Sequence, residues 1–162
     1  MNNKLRIFIT GATGFVGSHL ARHLIEDGRD VHILMRPASD TWRIKDILPK
    51  LKIHTGNLRD QSGLEKIILE IKPKGIFHLA VSNMFSGVMA PNHDVVADNL
   101  LGTINLIDAA NKVDYDFFIN TGSFLEYGVK TEPVKESDKP EPPELYSITK
   151  LAAEQYARLT AK

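Results

Sequence analysis

The chain predicts an α/β fold, a doubly wound parallel sheet with helices on both faces. Two observations carry that expectation. Short apolar runs alternate with amphipathic stretches along the whole chain, and the first run passes through a glycine-rich turn directly into the first amphipathic stretch. Strands separated by helices are joined by crossovers rather than hairpins, so they lie parallel, and their two faces are covered.

The elements follow in order. Leu5 to Ile9 is a continuous apolar run that reads as a buried strand, and Phe15 to Glu26 carries Val16, Leu20, Leu24 and Ile25 at helical spacing. Gly28 stops that helix, and Val31 to Met35 makes the second strand, which closes one βαβ unit. The alternation continues with a strand at Lys52 to His54, a helix at Ser62 to Ile71 and a strand at Gly75 to Leu79. A long helix from about Asp94 to Asn111 and a strand at Phe117 to Asn120 follow. Lys130 to Glu144 holds Pro133, Pro140, Pro142 and Pro143 among charged residues and reads as a surface loop. A last helix starts near Tyr146.

Composition narrows the function class. At 162 residues the chain has the size of one domain. Lys plus Arg equals Asp plus Glu at 20 each, without a long block of either sign, which argues against nucleic acid or anionic lipid and for a small-molecule partner. There is no Cys, so disulfides and thiolate chemistry are excluded, and the six His have no metal-ligand spacing, so no metal is expected. The N-terminal apolar run is too short for a signal peptide, and no stretch approaches the ~20 residues of a membrane span. A cytoplasmic protein is the expectation. His19, His23 and His32 are expected at the surface of the first βα unit, without a chemical role.

Thr10-Gly11-Ala12-Thr13-Gly14-Phe15-Val16-Gly17 lies between the first strand and the first helix. Glycines there permit a tight turn, a close approach of backbone to a pyrophosphate and close helix packing, while the helix N-terminus offers unpaired N–H groups to the anion. Gly11, Thr13, Gly14, Phe15, Val16 and Gly17 are therefore candidate cofactor contacts, in a Rossmann-type three-layer α/β/α arrangement. The G-x-x-G-x-x-G spacing differs from the G-x-G-x-x-G of the standard fingerprint.

The octapeptide resembles the cofactor signature of the extended short-chain dehydrogenase/reductases, which include sugar-nucleotide epimerases, 4,6-dehydratases and 4-reductases. Gly56-Asn57-Leu58-Arg59-Asp60 resembles the family's G-D-L-R-D at the adenine, and His78-Leu79-Ala80-Val81 its H-L-A-A. Thr121 to Gly128 resembles its S-S-x-x-V-Y-G, and Tyr146-Ser147-Ile148-Thr149-Lys150 its Y-x-x-x-K. The motifs fall in the family's order over essentially the whole chain. The resemblance implies further cofactor contacts at Asn57, Leu58, Leu79, Ala80, Val81, Asn99, Thr121, Tyr146 and Lys150. It implies a nucleotide-sugar substrate and, in the intact parent protein, a homodimer through the helices near Asp94 and Tyr146. Family members continue past the Y-x-x-x-K helix, so the expectation is one dinucleotide-binding unit over residues 1–162, truncated at that helix and lacking the C-terminal substrate lobe.

An acid at the end of the second strand would favour NAD by bonding the ribose, whereas an Arg suits a 2′-phosphate. Met35 and Arg36 stand there, so NADP is favoured, with NAD as the alternative. Lys150 lies four residues after Tyr146, on the same helical face, where its charge would acidify the phenol. The resemblance makes Ser123, Tyr146 and Lys150 the catalytic set. The acidic pair that follows the hydroxyl residue in the dehydratases is replaced by Phe124 and Leu125, with Glu126 one position late, so 4-epimerisation or 4-keto reduction is expected over dehydration. The competing reading is a non-catalytic dinucleotide-binding or redox-sensing module.

Overall fold

The computed structural model describes residues 4–82 and 90–160. The outermost ends of the expected 1–162 unit lie outside the described residues. Strands β1 (Arg6–Thr10), β2 (Asp30–Met35), β3 (Lys52–Thr55), β4 (Gly75–His78) and β5 (Phe117–Asn120) form one parallel sheet in the order β3-β2-β1-β4-β5. The chain winds outward from β1 to β3 and then returns to β4 on the other side of β1. That reversal opens a crevice at the carboxyl ends of β1 and β4, where open α/β sheets bind ligands.

Strand alternation assigns the side chains to two cores. Ile7 and Ile9 of β1, with Val31 and Ile33 of β2, face helix α1 (Phe15–Glu26) and pack with Ala21 and Leu24. Phe8, Leu34 and Ile76 face the other way, toward α2 (Gln61–Ile71) and α4 (Gly102–Ala110), and pack with Leu64, Ile68 and Leu106. Ile7, Phe8 and Ile9 are no more than 1% exposed, so each contributes about 1.5–3 kcal/mol of burial.

The helix boundaries have local causes. Asp60 caps α2 by accepting from the Gly63 N–H at 3.0 Å, and Lys72 ends it in the left-handed conformation. The long helix expected near Asp94 runs through α3 (Asn92–Val96), one π turn (Ala97–Leu101) and α4. The last helix, α5 (Leu145–Thr160), packs against this composite helix. Between β2 and β3 there is no full crossover helix. Two 3-10 turns, Trp42–Ile44 and Leu48–Lys50, place Ile44, Ile47 and Leu51 on the α1 face of the sheet.

One expectation is corrected. His19 and His23 are exposed, but His32 is only 6% exposed, because alternation along β2 turns it onto the sheet face that carries His54 of β3. The two imidazoles stack with centroids 5.1 Å apart, and their facing nitrogens are 2.9 Å apart. Burial pulls the pKa of both below the ordinary histidine value.

Candidate active site

The turn after β1 is built from close backbone contacts. Gly11 has φ +76°, and a Cβ there would lie 2.6 Å from the Ala80 nitrogen in the segment after β4. A Cβ on Gly17 would lie 2.2 Å from the Gly11 carbonyl oxygen, so Gly17 permits α1 to sit on the turn rather than touching a ligand. Gly14 is the N-cap of α1 and supplies no side-chain oxygen, and no acidic residue occupies the first turn. The first N–H groups of α1 are thus left for an external anion, as a pyrophosphate requires. Phe15 and Val16 are largely exposed at the start of the helix.

Beside this turn lies a groove of about 420 Å³. Of the candidate cofactor contacts, Gly11, Thr13, Gly14, Arg36, Asn57, Leu58, Leu79, Ala80 and Val81 line it. Ser39, Asp40, Arg43 and Asp98 also line it, and no sequence motif pointed to them. The Asn57 Oδ1 accepts the Arg59 N–H at 3.0 Å, so part of its acceptor capacity is spent on its own turn. Arg43 stacks on the Trp42 ring at 4.2 Å. Asp40 introduces an acid near the end of β2 that inspection of the strand itself does not reveal. Gly17, Asn99, Thr121, Tyr146 and Lys150 lie outside the groove lining.

A buried polar chain ties the groove to the long helix. His78, at the end of β4, is 1% exposed; Thr10 Oγ1 lies 2.6 Å from its Nδ1 and Thr103 Oγ1 2.9 Å from its Nε2. Thr103 donates to the Asn99 carbonyl and Thr10 accepts from the Ala80 N–H. Each hydroxyl has one proton, so Thr10 donates to Nδ1 and Nε2–H donates to Thr103. The imidazole is thereby fixed in one neutral tautomer. Burial, with Lys150 nearby, pushes its pKa down to about 3. Asn99 sits in the π turn, 2% exposed, and holds the Ser82 N–H at 2.7 Å while its Nδ2 has no partner among the described residues.

Thr10, His78 and Asn120 are in register at the carboxyl ends of β1, β4 and β5. The segment after β5 therefore emerges two strand spacings, about 10 Å, from the glycine turn. There Ser123 caps a 3-10 turn, Phe124–Tyr127, in a reciprocal capping box with Glu126. Tyr146 and Lys150 stand on the first two turns of α5, and the Ser123 side chain faces the Tyr146 phenol closely enough to pull its pKa down. Thr121 is exposed at the end of β5. Ser123, Tyr146 and Lys150 thus come from the segment after β5 and the start of α5.

The electrostatics differ from expectation. Tyr146 is not acidified: burial raises its pKa, the Ser123 side chain pulls it down, and Glu126 and Glu144 push it up. Lys150, 3% exposed, is lowered by burial and held up by Glu126. Its charge lowers the His78 pKa and is itself favoured by Glu126. Glu126 is 3% exposed and accepts the Ser123 N–H at 2.7 Å. The sequence reading treated Glu126 only as a misplaced dehydratase acid; its S-x-x-E spacing is the capping-box signal that could have located it.

The model of the NAD-dependent epimerase/dehydratase family matches residues 7–162. The chain is 27% identical to the UDP-glucose 4-epimerase of Lactobacillus helveticus over 152 residues, covering 93% of this chain and 46% of that protein. It is 32% identical to the GDP-mannose 4,6-dehydratase of Vibrio cholerae over 168 residues, covering 94% of this chain and 44% of that protein. The Bordetella bronchiseptica enzyme WbmH, solved in complex with NAD+, superimposes with a TM-score of 0.86 at 27% identity, over 98% of this chain and 54% of that one. The chain spans about half the length of the curated relatives it matches. With its motifs gathered at the switch point of a parallel sheet, this chain belongs to the NAD-dependent epimerase/dehydratase family.

Proposed function

We propose that the chain is the dinucleotide-binding and acid/base part of an oxidoreductase or epimerase acting on a nucleotide-activated sugar, with NADP preferred over NAD. The observation that carries this reading is the convergence, at the carboxyl ends of β1, β4 and β5, of an uncapped helix N-terminus behind a glycine turn with the facing Ser123 and Tyr146 side chains. The dinucleotide, when bound, supplies the hydride acceptor or donor. The turn at Gly11 to Gly14 and the N–H groups of α1 hold its pyrophosphate, and Arg36, Asn57 and Leu58 hold its adenosine end. Lys150 would hold its nicotinamide-side ribose. Tyr146 takes or gives the proton of the reacting hydroxyl, and Ser123 orients that hydroxyl.

Phe124 is exposed and Leu125 half-buried, while the nearest acid, Glu126, is turned inward onto the Ser123 backbone. No carboxyl is offered to a sugar from this turn, which supports 4-epimerisation or 4-keto reduction over loss of water. Leu101 and Ile148, about half exposed on the π turn and α5, support self-association of the protein through these helices.

Calorimetric titration with NADPH and NADH tests the cofactor assignment. Tighter NADPH binding is expected, because Arg36 and Arg43 line the groove. A preference for NADH would overturn it and assign the choice to Asp40. The absence of any dinucleotide binding would remove the function altogether.

A further inference from the structure

Glu126 is buried beneath the Ser123 turn, and it does more than close a capping box. One carboxylate oxygen, Oε1, accepts the Ser123 N–H. The side chain also shares a hydrogen bond with Glu154 of α5, one helical turn beyond Lys150. A Cβ built on Gly122 would lie 3.4 Å from Glu126 Oε1 and 3.9 Å from Glu154 Oε2, so both carboxyl groups converge beneath the same backbone. Two carboxyl groups bonded to one another must hold a proton between them. Arg158 lies 2.6 Å from the other Glu154 oxygen, Oε1, which leaves the proton of the pair on Glu126. The charged or titratable groups facing Glu126 are Glu154, Lys150 and Tyr146 from α5, with Arg158 reaching it through Glu154.

We propose that the buried Glu126 and the half-buried Glu154 form a carboxyl pair sharing one proton, and that Glu126 is a positioning residue whose ionisation sets the charge balance of the Ser123–Tyr146–Lys150 set. This rests on the function proposed above. When Glu126 is ionised, its charge holds Lys150 protonated and disfavours the Tyr146 phenolate. When Glu126 takes up the proton, both effects are released while the Ser123 N–H keeps its acceptor. Burial, then the Glu154 hydrogen bond, pushes the Glu126 carboxyl up to about 7, so the change falls near neutral pH.

The test is carbon-13 NMR titration of the Glu carboxyl and Lys side-chain carbons in the chain without dinucleotide. One Glu carboxyl is expected to titrate near 7 and to be absent in Glu126→Gln, where the Lys150 midpoint falls. Should Glu126→Gln fail to fold, Glu154→Gln serves: it removes the partner, and the Glu126 midpoint moves down toward the ordinary carboxylate range. A wild-type Glu126 midpoint already in that range, a midpoint unmoved in Glu154→Gln, or a Lys150 midpoint unmoved in Glu126→Gln would each overturn the proposal. Dinucleotide titration of the same samples separates the two ideas. A chain that binds no dinucleotide but shows the shifted carboxyl refutes the proposed function and keeps the pair; one that binds dinucleotide with an ordinary carboxyl does the reverse.

Discussion

The two ends of the site are made in different ways. At the glycine turn the proposed ligand surface is backbone: Gly11 and Gly14 contribute by having no side chain, Gly17 lets α1 pack on the turn, and the proposed anion site is a helix N-terminus. At the β5–α5 end the surface is side chain, and it is set by buried charges, since Lys150 and Glu126 are each 3% exposed. The first kind of site tolerates almost no added volume but is insensitive to pH. The second accepts isosteric change but depends on protonation.

The largest expected effect tests the first half of that contrast. Gly17→Val drives a branched side chain into the Gly11 carbonyl, and overpacking against backbone should cost at least about 3 kcal/mol. Urea denaturation measures it, and a near-normal midpoint would show that α1 can shift away from the turn. Tyr146→Phe tests the second half by keeping the ring and removing the proton. If the proposed function holds, turnover of nucleotide sugars by the complete protein should fall by ~10²–10⁴-fold while dinucleotide affinity is kept. An unchanged rate would remove Tyr146 as the acid/base.

Stability against pH separates the buried charges. His78 stays neutral in the fold down to about 3, whereas the unfolded chain protonates near 6.5, so its contribution is full above 6.5 and is lost as pH falls toward 3. Between pH 7 and pH 4 the wild type should lose on the order of 3 kcal/mol more than His78→Gln. Glu126 acts oppositely: its raised value gives stability that is full below about 4.5 and lost as pH rises through about 7. Paired denaturation curves at the two pH values read the His78 term, and parallel acid losses in both proteins would refute it. The smallest effect is at the groove. Arg36→Ala should weaken NADPH by about 1.5–3 kcal/mol, the worth of a charge-assisted contact, and leave NADH nearly unchanged. Equal losses for both cofactors would place Arg36 away from the 2′ position.

Much of the fold was legible because it is repetitive. Strand β5 has the bounds the sequence suggested, and the other elements lie within a residue or two, since period and glycine punctuation are local properties. The segment from Pro37 to Leu51 was not legible. Ile44, Ile47 and Leu51 are core residues there, but two short 3-10 turns present them, and such turns carry no long period to detect. Asp40 and Arg43 reach the groove from that same segment and were missed for the same reason. His32 was misplaced because a lone polar residue in an apolar strand gives no sign of a facing partner; His54 supplies it from a strand twenty-two positions later.

By itself the sequence determined the order of elements and the glycine turn, because each depends on neighbours within a few residues along the chain, while its resemblance to a family pointed to Ser123, Tyr146 and Lys150. Only the tertiary structure decided where their charge goes. Lys150 lowers the His78 pKa and is itself favoured by Glu126, Tyr146 is raised by its own burial, and Glu126 meets Glu154 across two elements. Protonation depends on desolvation and on charges brought close in space, and neither quantity is a property of sequence separation.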